Sequence, residues 1–208
     1  GHGDRTALVY DSAVAGVKES FTYAQLLEQV AAFAGALRGF GVGRGDRVVI
    51  YLPMIPEAVV AMLACARLGA VHSVVFGGFA PRELAVRIDD ARPKVVVTAS
   101  CGIEPSRVVE YKPIVDRALE IAEHQPDAVV LKQRPQAVAE MREPRDVDWD
   151  VAMKAGRTDP AECVEVKATD PLYVLYTSGT TGKPKGIVRD NGGHAVAMAW
   201  SLPNIYDV

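Results

Sequence analysis

The sequence predicts an α/β protein in which helices cover both faces of a largely parallel sheet. Short apolar runs alternate with longer segments that carry apolar residues at helical spacing. Of the 208 residues, 49% are hydrophobic, which is enough to bury a sizeable core. Strands that alternate with helices of this length need crossover connections, and such connections make neighbouring strands parallel.

The first helix and strand carry clear local signals. Thr22 and Gln25 have the spacing of a capping box, and the apolar residues after them recur at helical spacing until Gly39. The segment RVVIYL at 47–52 then has the composition of a buried strand. Pro56 can begin a second helix at its first turn.

The same alternation continues along most of the chain. Short apolar runs predict five further strands: 70–76, 94–99, 127–132, 171–178 and 186–190. Helical spacing predicts helices at 81–92 and 113–124 and a last one after residue 190. Between 133 and 170, charged and proline-containing sequence predicts a long irregular connection over the surface.

Composition and charge exclude several classes of partner. The 23 Lys and Arg against 26 Asp and Glu give a net charge of −3 without a basic stripe, so we expect no nucleic-acid partner. No apolar stretch reaches the roughly 18 residues that a membrane span needs. Cys65, Cys101 and Cys163 lack metal-ligand spacing and predict free thiols in a reducing, cytoplasmic location. No residues are predicted to bind a metal ion.

The segment YTSGTTGKPKG, residues 176–186, is the strongest functional signal, and we call it the phosphate signature. It follows a predicted strand, where ligands collect in open α/β sheets. Its glycines allow several N–H groups to form one concave anion site, and Lys183 and Lys185 add positive charge. The predicted ligand is a polyphosphate. It does not match a Walker A loop, and a flexible solvated loop would not require this order of residues.

The phosphate signature resembles, position for position, that of the adenylate-forming enzymes, which include acyl-CoA synthetases, luciferases and peptide-synthetase adenylation domains. The resemblance implies that this loop holds the β- and γ-phosphates of ATP while a carboxylate attacks the α-phosphorus. Lys183 and Lys185 are the expected catalytic residues. The residues expected to bind phosphate are Thr177, Ser178, Gly179, Thr180, Thr181, Gly182, Lys183, Lys185 and Gly186.

Other segments resemble the short-chain branch of this family, and propionyl-CoA synthetases more than acetyl-CoA synthetases. FGGF at 76–79, which we call the FGGF loop, and GIEPSRVVEYKP at 102–113 lie where that branch binds the adenosine and 3′-phosphate of coenzyme A. The resemblance assigns contacts with coenzyme A to Phe76, Gly77, Gly78 and Arg107. Glu104 departs from the acetyl-CoA enzymes, which have a second arginine there.

The resemblance implies a ligase with two half-reactions: a short-chain carboxylate, with propionate favoured, forms an acyl-adenylate from ATP, and coenzyme A then takes the acyl group. The expected partners are these small molecules and Mg²⁺, whose ligand is expected beyond residue 208. The chain is expected to be part of an N-terminal domain and inactive alone, with a strand–helix portion at 1–131, a connection at 132–170 and the phosphate loop with its neighbours at 171–208.

Three alternatives remain. The enzyme could be an acetyl-CoA synthetase, or the chain could be an inert module that binds ATP and coenzyme A. A Rossmann-type dehydrogenase is disfavoured, because no G-x-G-x-x-G follows an early strand.

Overall fold

The computed structural model describes residues 2–177 and 184–207, and a seven-stranded sheet lies at its centre. The strands are β1 (Thr6–Ser12), β2 (Val17–Thr22), β3 (Arg47–Tyr51), β4 (Val71–Val74), β5 (Val95–Ala99), β6 (Cys101–Glu104), β7 (Arg107–Glu110), β8 (Ala128–Lys132), β9 (Asp146–Asp148), β10 (Pro171–Thr177) and β11 (Lys185–Asp190). The helices are α1 (Tyr23–Gly39), α2 (Pro56–Arg67), α3 (Pro81–Ala91), α4 (Tyr111–Ile121), α5 (Trp149–Thr158) and α6 (Asn191–Ile205).

The sheet is mainly parallel, as predicted. Its strand order is β11-β10-β4-β3-β5-β8-β9, and every neighbouring pair is parallel except β10 and β11. The central strands β3, β5 and β8 are rich in valine and almost wholly buried, because helices shield both of their faces.

Each face of the sheet has its own hydrophobic core. Val48 and Ile50 of β3 pack with α1, α2 and α5, whereas Val49 and Tyr51 pack with α3 and α4. This division follows from the period of two along a strand, which points successive side chains to opposite faces. The prediction of helices on both faces is therefore confirmed.

Local helix signals were accurate. The predicted capping box is present, since Thr22 Oγ1 accepts from the Gln25 amide at 3.2 Å and Gln25 Oε1 accepts from the Thr22 amide at 2.8 Å. Pro56 occupies the first turn of α2. Helix α4 begins at Tyr111 and ends at Ile121, two to three residues earlier than predicted.

The predicted irregular connection at 132–170 was wrong, because it contains β9 and α5. Asp148 caps α5 by accepting from the amides of Asp150 and Val151. Trp149 is only 4% exposed, and its ring stacks on Phe33 of α1 with 4.1 Å between centroids. Helix α5 is therefore part of the hydrophobic core that α1 and α2 form on one face of the sheet.

The apolar run at 172–176 is typical of a buried strand, but β10 is only partly buried. Its residues are intermediate or exposed, and its outer neighbour β11, the edge strand, is largely exposed as well. All residues of α6 are described, and none of them is buried. The sequence also did not predict the two separate antiparallel hairpins, β1–β2 and β6–β7.

The helices found in residues 2–177 and 184–207 are all too short or too polar to cross a membrane.

Candidate functional site

Three segments with predicted roles meet at one edge of the sheet. The FGGF loop follows β4, the hairpin β6–β7 follows β5, and Thr177 ends β10. Strands β4, β5 and β10 run in the same direction, so their carboxyl ends share that edge. This is the edge at which open α/β sheets bind their ligands.

The strands β10 and β11 flank the phosphate signature. Thr177 pairs with Lys185 and Tyr176 pairs with Gly186 in antiparallel register. The side chain of Lys185 lies in an exposed position at the start of β11. The other predicted phosphate ligands, Ser178, Gly179, Thr180, Thr181, Gly182 and Lys183, lie outside the described residues, so their roles stay predictions.

Gly186 has a local packing reason to be glycine. A Cβ atom at this position would lie 3.0 Å from Val174 Cγ1 and 3.2 Å from Tyr176 Cε1. Tyr176 itself donates from its hydroxyl group to Asp90 Oδ2 at 2.6 Å, which attaches β10 to α3. Burial and this hydrogen bond raise the pKa of Tyr176, so the hydroxyl stays protonated.

The FGGF loop is attached to the sheet by a tyrosine that sequence analysis missed. The Tyr51 hydroxyl lies 3.0 Å from the carbonyl oxygens of both Gly77 and Phe79. Burial raises the pKa of Tyr51, which preserves the donor that these two acceptors need. Phe76 is 72% exposed, and its ring meets Phe79 edge to face at 5.9 Å.

A second missed residue, Tyr111, connects the FGGF loop to the hairpin β6–β7. Its amide donates to the Ser100 carbonyl at 3.0 Å, and its ring fills space that Gly77 and Gly102 leave open. A Cβ atom on Gly77 would lie 2.6 Å from Tyr111 Cζ, and one on Gly102 would lie 2.7 Å from it. Gly78 differs, because its nearest neighbour is the ring of the exposed Phe76. No signal in the sequence marks this contact, because Gly77, Gly102 and Tyr111 have no regular spacing along the chain.

Arg107, predicted to bind the coenzyme A 3′-phosphate, has a carboxylate partner in this structure. Its Nε lies 2.8 Å from Glu104 Oε2, and Nη2 lies 3.4 Å from Oε1, because the two residues pair across β6–β7. The hydrogen bond lowers the pKa of Glu104 and raises that of Arg107. Both side chains are largely exposed, so a phosphate could reach Arg107 in competition with Glu104.

His72 is a buried titratable residue of β4. It is 8% exposed and packs against Tyr173, whose hydroxyl lies 3.4 Å from His194 Nδ1. Across residues 2–177 and 184–207 we find no hydrogen-bond partner for His72 Nδ1. Burial, with a smaller effect of His194, lowers the pKa of His72 to about 4, so the ring is neutral at pH 7.

In the described part of the chain, no three His, Cys, Asp or Glu side chains converge to form a metal site.

Comparisons with known proteins show the family of this chain. A family model described as AMP-binding enzyme matches residues 1–207. The human protein named acyl-CoA synthetase short-chain family member 3, mitochondrial, is 54% identical over 207 residues, which are 99% of this chain and 30% of that protein. The acetyl-coenzyme A synthetase of Pasteurella multocida is 45% identical over 98% of this chain and 31% of its own length.

A solved structure supports the fold as well. The acetoacetyl-CoA synthetase from Streptomyces lividans superposes with a TM-score of 0.81 at 31% identity, over 92% of this chain and 29% of that one. The chain thus spans about 30% of the length of the relatives that it matches. Since the family model covers nearly every residue, the chain belongs to the AMP-binding enzyme family.

Proposed function

We propose that this chain takes part in the ATP-dependent activation of a short-chain carboxylate to an acyl-adenylate, and then in transfer of the acyl group to coenzyme A. The observation that carries this proposal is the position of the phosphate signature. Strand β10 ends and strand β11 begins at the same sheet edge as the FGGF loop and the hairpin β6–β7. The candidate sites for ATP and for coenzyme A therefore lie at the same edge of the sheet. A reaction that uses both substrates requires them to be close together.

On the ATP side, the phosphate signature is proposed to hold the β- and γ-phosphates. Attack of the carboxylate on the α-phosphorus breaks the bond to pyrophosphate and places negative charge on the leaving group. Lys185, at the exposed start of β11, would stabilise that charge together with Lys183 and backbone N–H groups of the signature. Positioned cations and amides suffice for this step, so no nucleophilic side chain is needed.

On the coenzyme A side, Arg107 is proposed to contact the 3′-phosphate and the FGGF loop to contact the adenosine. The exposed ring of Phe76 offers a stacking surface for a base, and Gly78 leaves room for that ring, since a Cβ atom there would lie 2.5 Å from Phe76 Cε1. Glu104 already neutralises part of the Arg107 charge. Coenzyme A would therefore bind with the loss of one ion pair and the gain of another.

Magnesium is proposed to accompany ATP and to neutralise charge on its phosphates. The described residues contain no cluster of metal ligands, and none of them is assigned this role.

Propionate is the proposed acid. The sequence after the phosphate signature resembles propionyl-CoA synthetases, and the human relative, which is named as a member of an acyl-CoA synthetase short-chain family, is 54% identical. The acetyl-coenzyme A synthetase relative, at 45% identity, supports acetate as the second candidate. The human relative is named as mitochondrial, so the expected cytoplasmic location of this chain stays a prediction.

The decisive experiment uses a protein that is as long as the relatives and contains residues 1–208 of this sequence. It measures the carboxylate-dependent exchange of pyrophosphate into ATP. Acetate, propionate and butyrate are compared at equal concentrations, and coenzyme A is then added to detect the thioester. We expect exchange with all three acids and the highest kcat/KM with propionate. Higher kcat/KM with acetate would favour the acetyl-CoA synthetase alternative, and absence of exchange with every acid would contradict the proposal.

A further inference from the structure

Arg87 of α3 is a buried cation that touches both candidate sites. Its side chain is 5% exposed. The guanidinium carbon lies 4.4 Å from the centroid of the Phe79 ring and 5.6 Å from the centroid of the Tyr176 ring. Phe79 belongs to the FGGF loop, and Tyr176 is the first residue of the phosphate signature. One side chain therefore connects the proposed coenzyme A site to the proposed ATP site.

The burial of Arg87 depends on these rings. A buried guanidinium loses its hydration, and its polar partners in the described structure are the carbonyl oxygen and the carboxylate of Glu83, at 2.6 Å and 3.0 Å from Nη1. Aromatic faces attract the flat guanidinium plane when water is excluded. Phe79 and Tyr176 thus compensate part of the desolvation, and displacement of either ring weakens the position of Arg87.

Both rings are tightly connected to the rest of their sites. The carbonyl group of Phe79 accepts from Tyr51, and its ring packs against Phe76. Tyr176 pairs with Gly186 at the other end of the signature and donates to Asp90, which is also on α3. A shift of Arg87 would therefore be transmitted to the FGGF loop and to β10.

We propose that Arg87 is a positioning residue that holds the FGGF loop and β10 in one fixed arrangement, so that the sites for coenzyme A and for the ATP phosphates form together. This inference rests on the proposed function and adds a residue that neither resemblance nor motif assigned. Arg87 need not touch either substrate.

The test uses the Arg87→Met variant of a protein of the relatives' length that carries this segment. We expect the KM for coenzyme A to rise and the kcat/KM for ATP in pyrophosphate exchange to fall, each by about two- to thirty-fold, the range of a desolvated cation–π contact. The matched control is Arg117→Met on α4, because Arg117 is exposed and paired with Glu120 at 2.9 Å. This control should change neither quantity by more than about twofold.

Double-mutant cycles separate positioning from a general loss of structure. In a Phe79→Leu background, Arg87→Met should have little further effect on the KM for coenzyme A. It should still lower the kcat/KM for ATP in pyrophosphate exchange. In a Tyr176→Leu background the pattern should reverse, because each ring transmits only one of the two effects. If Arg87→Met does not fold, Arg87→Lys enters the same cycles, since lysine keeps the charge and loses the planar guanidinium.

The outcomes distinguish the two proposals. If the parent protein is active and the effects of the substitutions are additive in both cycles, Arg87 does not position the two sites, and the proposed function is unaffected. A parent protein with neither pyrophosphate exchange nor thioester formation overturns both.

Discussion

At the scale of single residues, the ion pair between Glu104 and Arg107 sets how strongly the hairpin β6–β7 can attract an anion. The two side chains face each other across the hairpin, 2.8 Å apart at their closest atoms. Both are exposed, so water and salt screen the pair. The carboxylate therefore weakens the attraction of Arg107 for a phosphate without blocking access to it.

This pairing yields opposite predictions for its two members. Arg107→Ala should raise the KM for coenzyme A roughly tenfold, because a charge-assisted contact is lost. Glu104→Gln should lower that KM by about two- to fivefold, because it removes the competing negative charge and keeps the side-chain shape. Dephospho-coenzyme A, which lacks the 3′-phosphate, serves as the control substrate, and its KM should stay nearly constant. Equal changes with both thiols would place Arg107 away from the 3′-phosphate.

His72 gives a prediction on pH and stability. Its pKa is lowered to about 4 by burial, so between pH 6.5 and 4 the unfolded chain binds a proton that the folded chain does not. The stabilising contribution is complete above pH 6.5 and decreases as the pH falls towards 4. We expect His72 to account for about 2 kcal/mol of the unfolding free energy lost between pH 7.5 and pH 5.0.

The measurement is urea unfolding at these two pH values. The His72→Phe variant keeps an aromatic ring against Tyr173 and should lose less stability than the parent on acidification. His2→Gln removes an exposed histidine and should behave like the parent. The same loss in all three proteins would mean that His72 titrates normally in the folded state.

At the scale of elements, α5 is held against α1 by contact between backbones. A Cβ atom on Gly156 of α5 would overlap the Ala32 carbonyl oxygen of α1, and one on Gly35 of α1 would lie 3.0 Å from the Gly156 carbonyl oxygen. Small residues on both helices therefore allow the close approach that buries Trp149. Strand β9, which precedes α5, is attached by Asp146, whose carboxylate lies 2.8 Å from the buried Lys112 of α4.

Gly156→Ala should lower the unfolding free energy by about 3 kcal/mol, the upper part of the usual range for overpacking, because the obstructing atoms are backbone. The control is Gly39→Ala at the end of α1, where no atom lies within 4 Å of the added Cβ. That substitution should be neutral or slightly stabilising. Comparable stability of the two variants in urea would show that α1 and α5 can separate without cost.

At the scale of the whole molecule, the parallel sheet brings together residues that are far apart in the sequence. The FGGF loop, the hairpin β6–β7 and Thr177 lie at one edge because the strands before them, β4, β5 and β10, share a direction. The antiparallel strand β11 begins at the same edge. Under the proposed function, different residues at this edge would serve the two half-reactions.

The separation predicts that Lys185 matters mainly to the first half-reaction. In a protein of the relatives' length, Lys185→Ala should slow adenylate formation by roughly ten- to a thousand-fold, because a cation facing the departing pyrophosphate is lost. Conversion of preformed propionyl-adenylate and coenzyme A to thioester should stay nearly unchanged, since that step has no pyrophosphate. Lys154→Ala on the exposed face of α5 is the matched control and should affect neither step. Equal loss of both steps in a folded Lys185→Ala variant would show a structural role.

Features that depend on neighbours along the chain could be predicted from the amino-acid sequence. The capping box of Thr22 and Gln25, the proline start of α2 and the alternation of strands and helices were all predicted correctly. The place of the phosphate signature after a strand of the parallel sheet was predicted as well. These signals lie within a few residues of each other, so local geometry and periodicity suffice to read them.

Contacts between residues far apart in the sequence could be identified only from the folded structure. The packing of α5 on α1, the Tyr111 ring beside Gly77, and Arg87 between Phe79 and Tyr176 involve contacts whose partners have no fixed spacing in the sequence. The charged segment 132–170, which contains α5, resembled a surface connection because α5 is short and amphipathic. The apolar face of α5 becomes part of the core only when it packs against α1. Such contacts depend on how helices and strands pack against each other, and the secondary-structure propensities of single residues do not determine that packing.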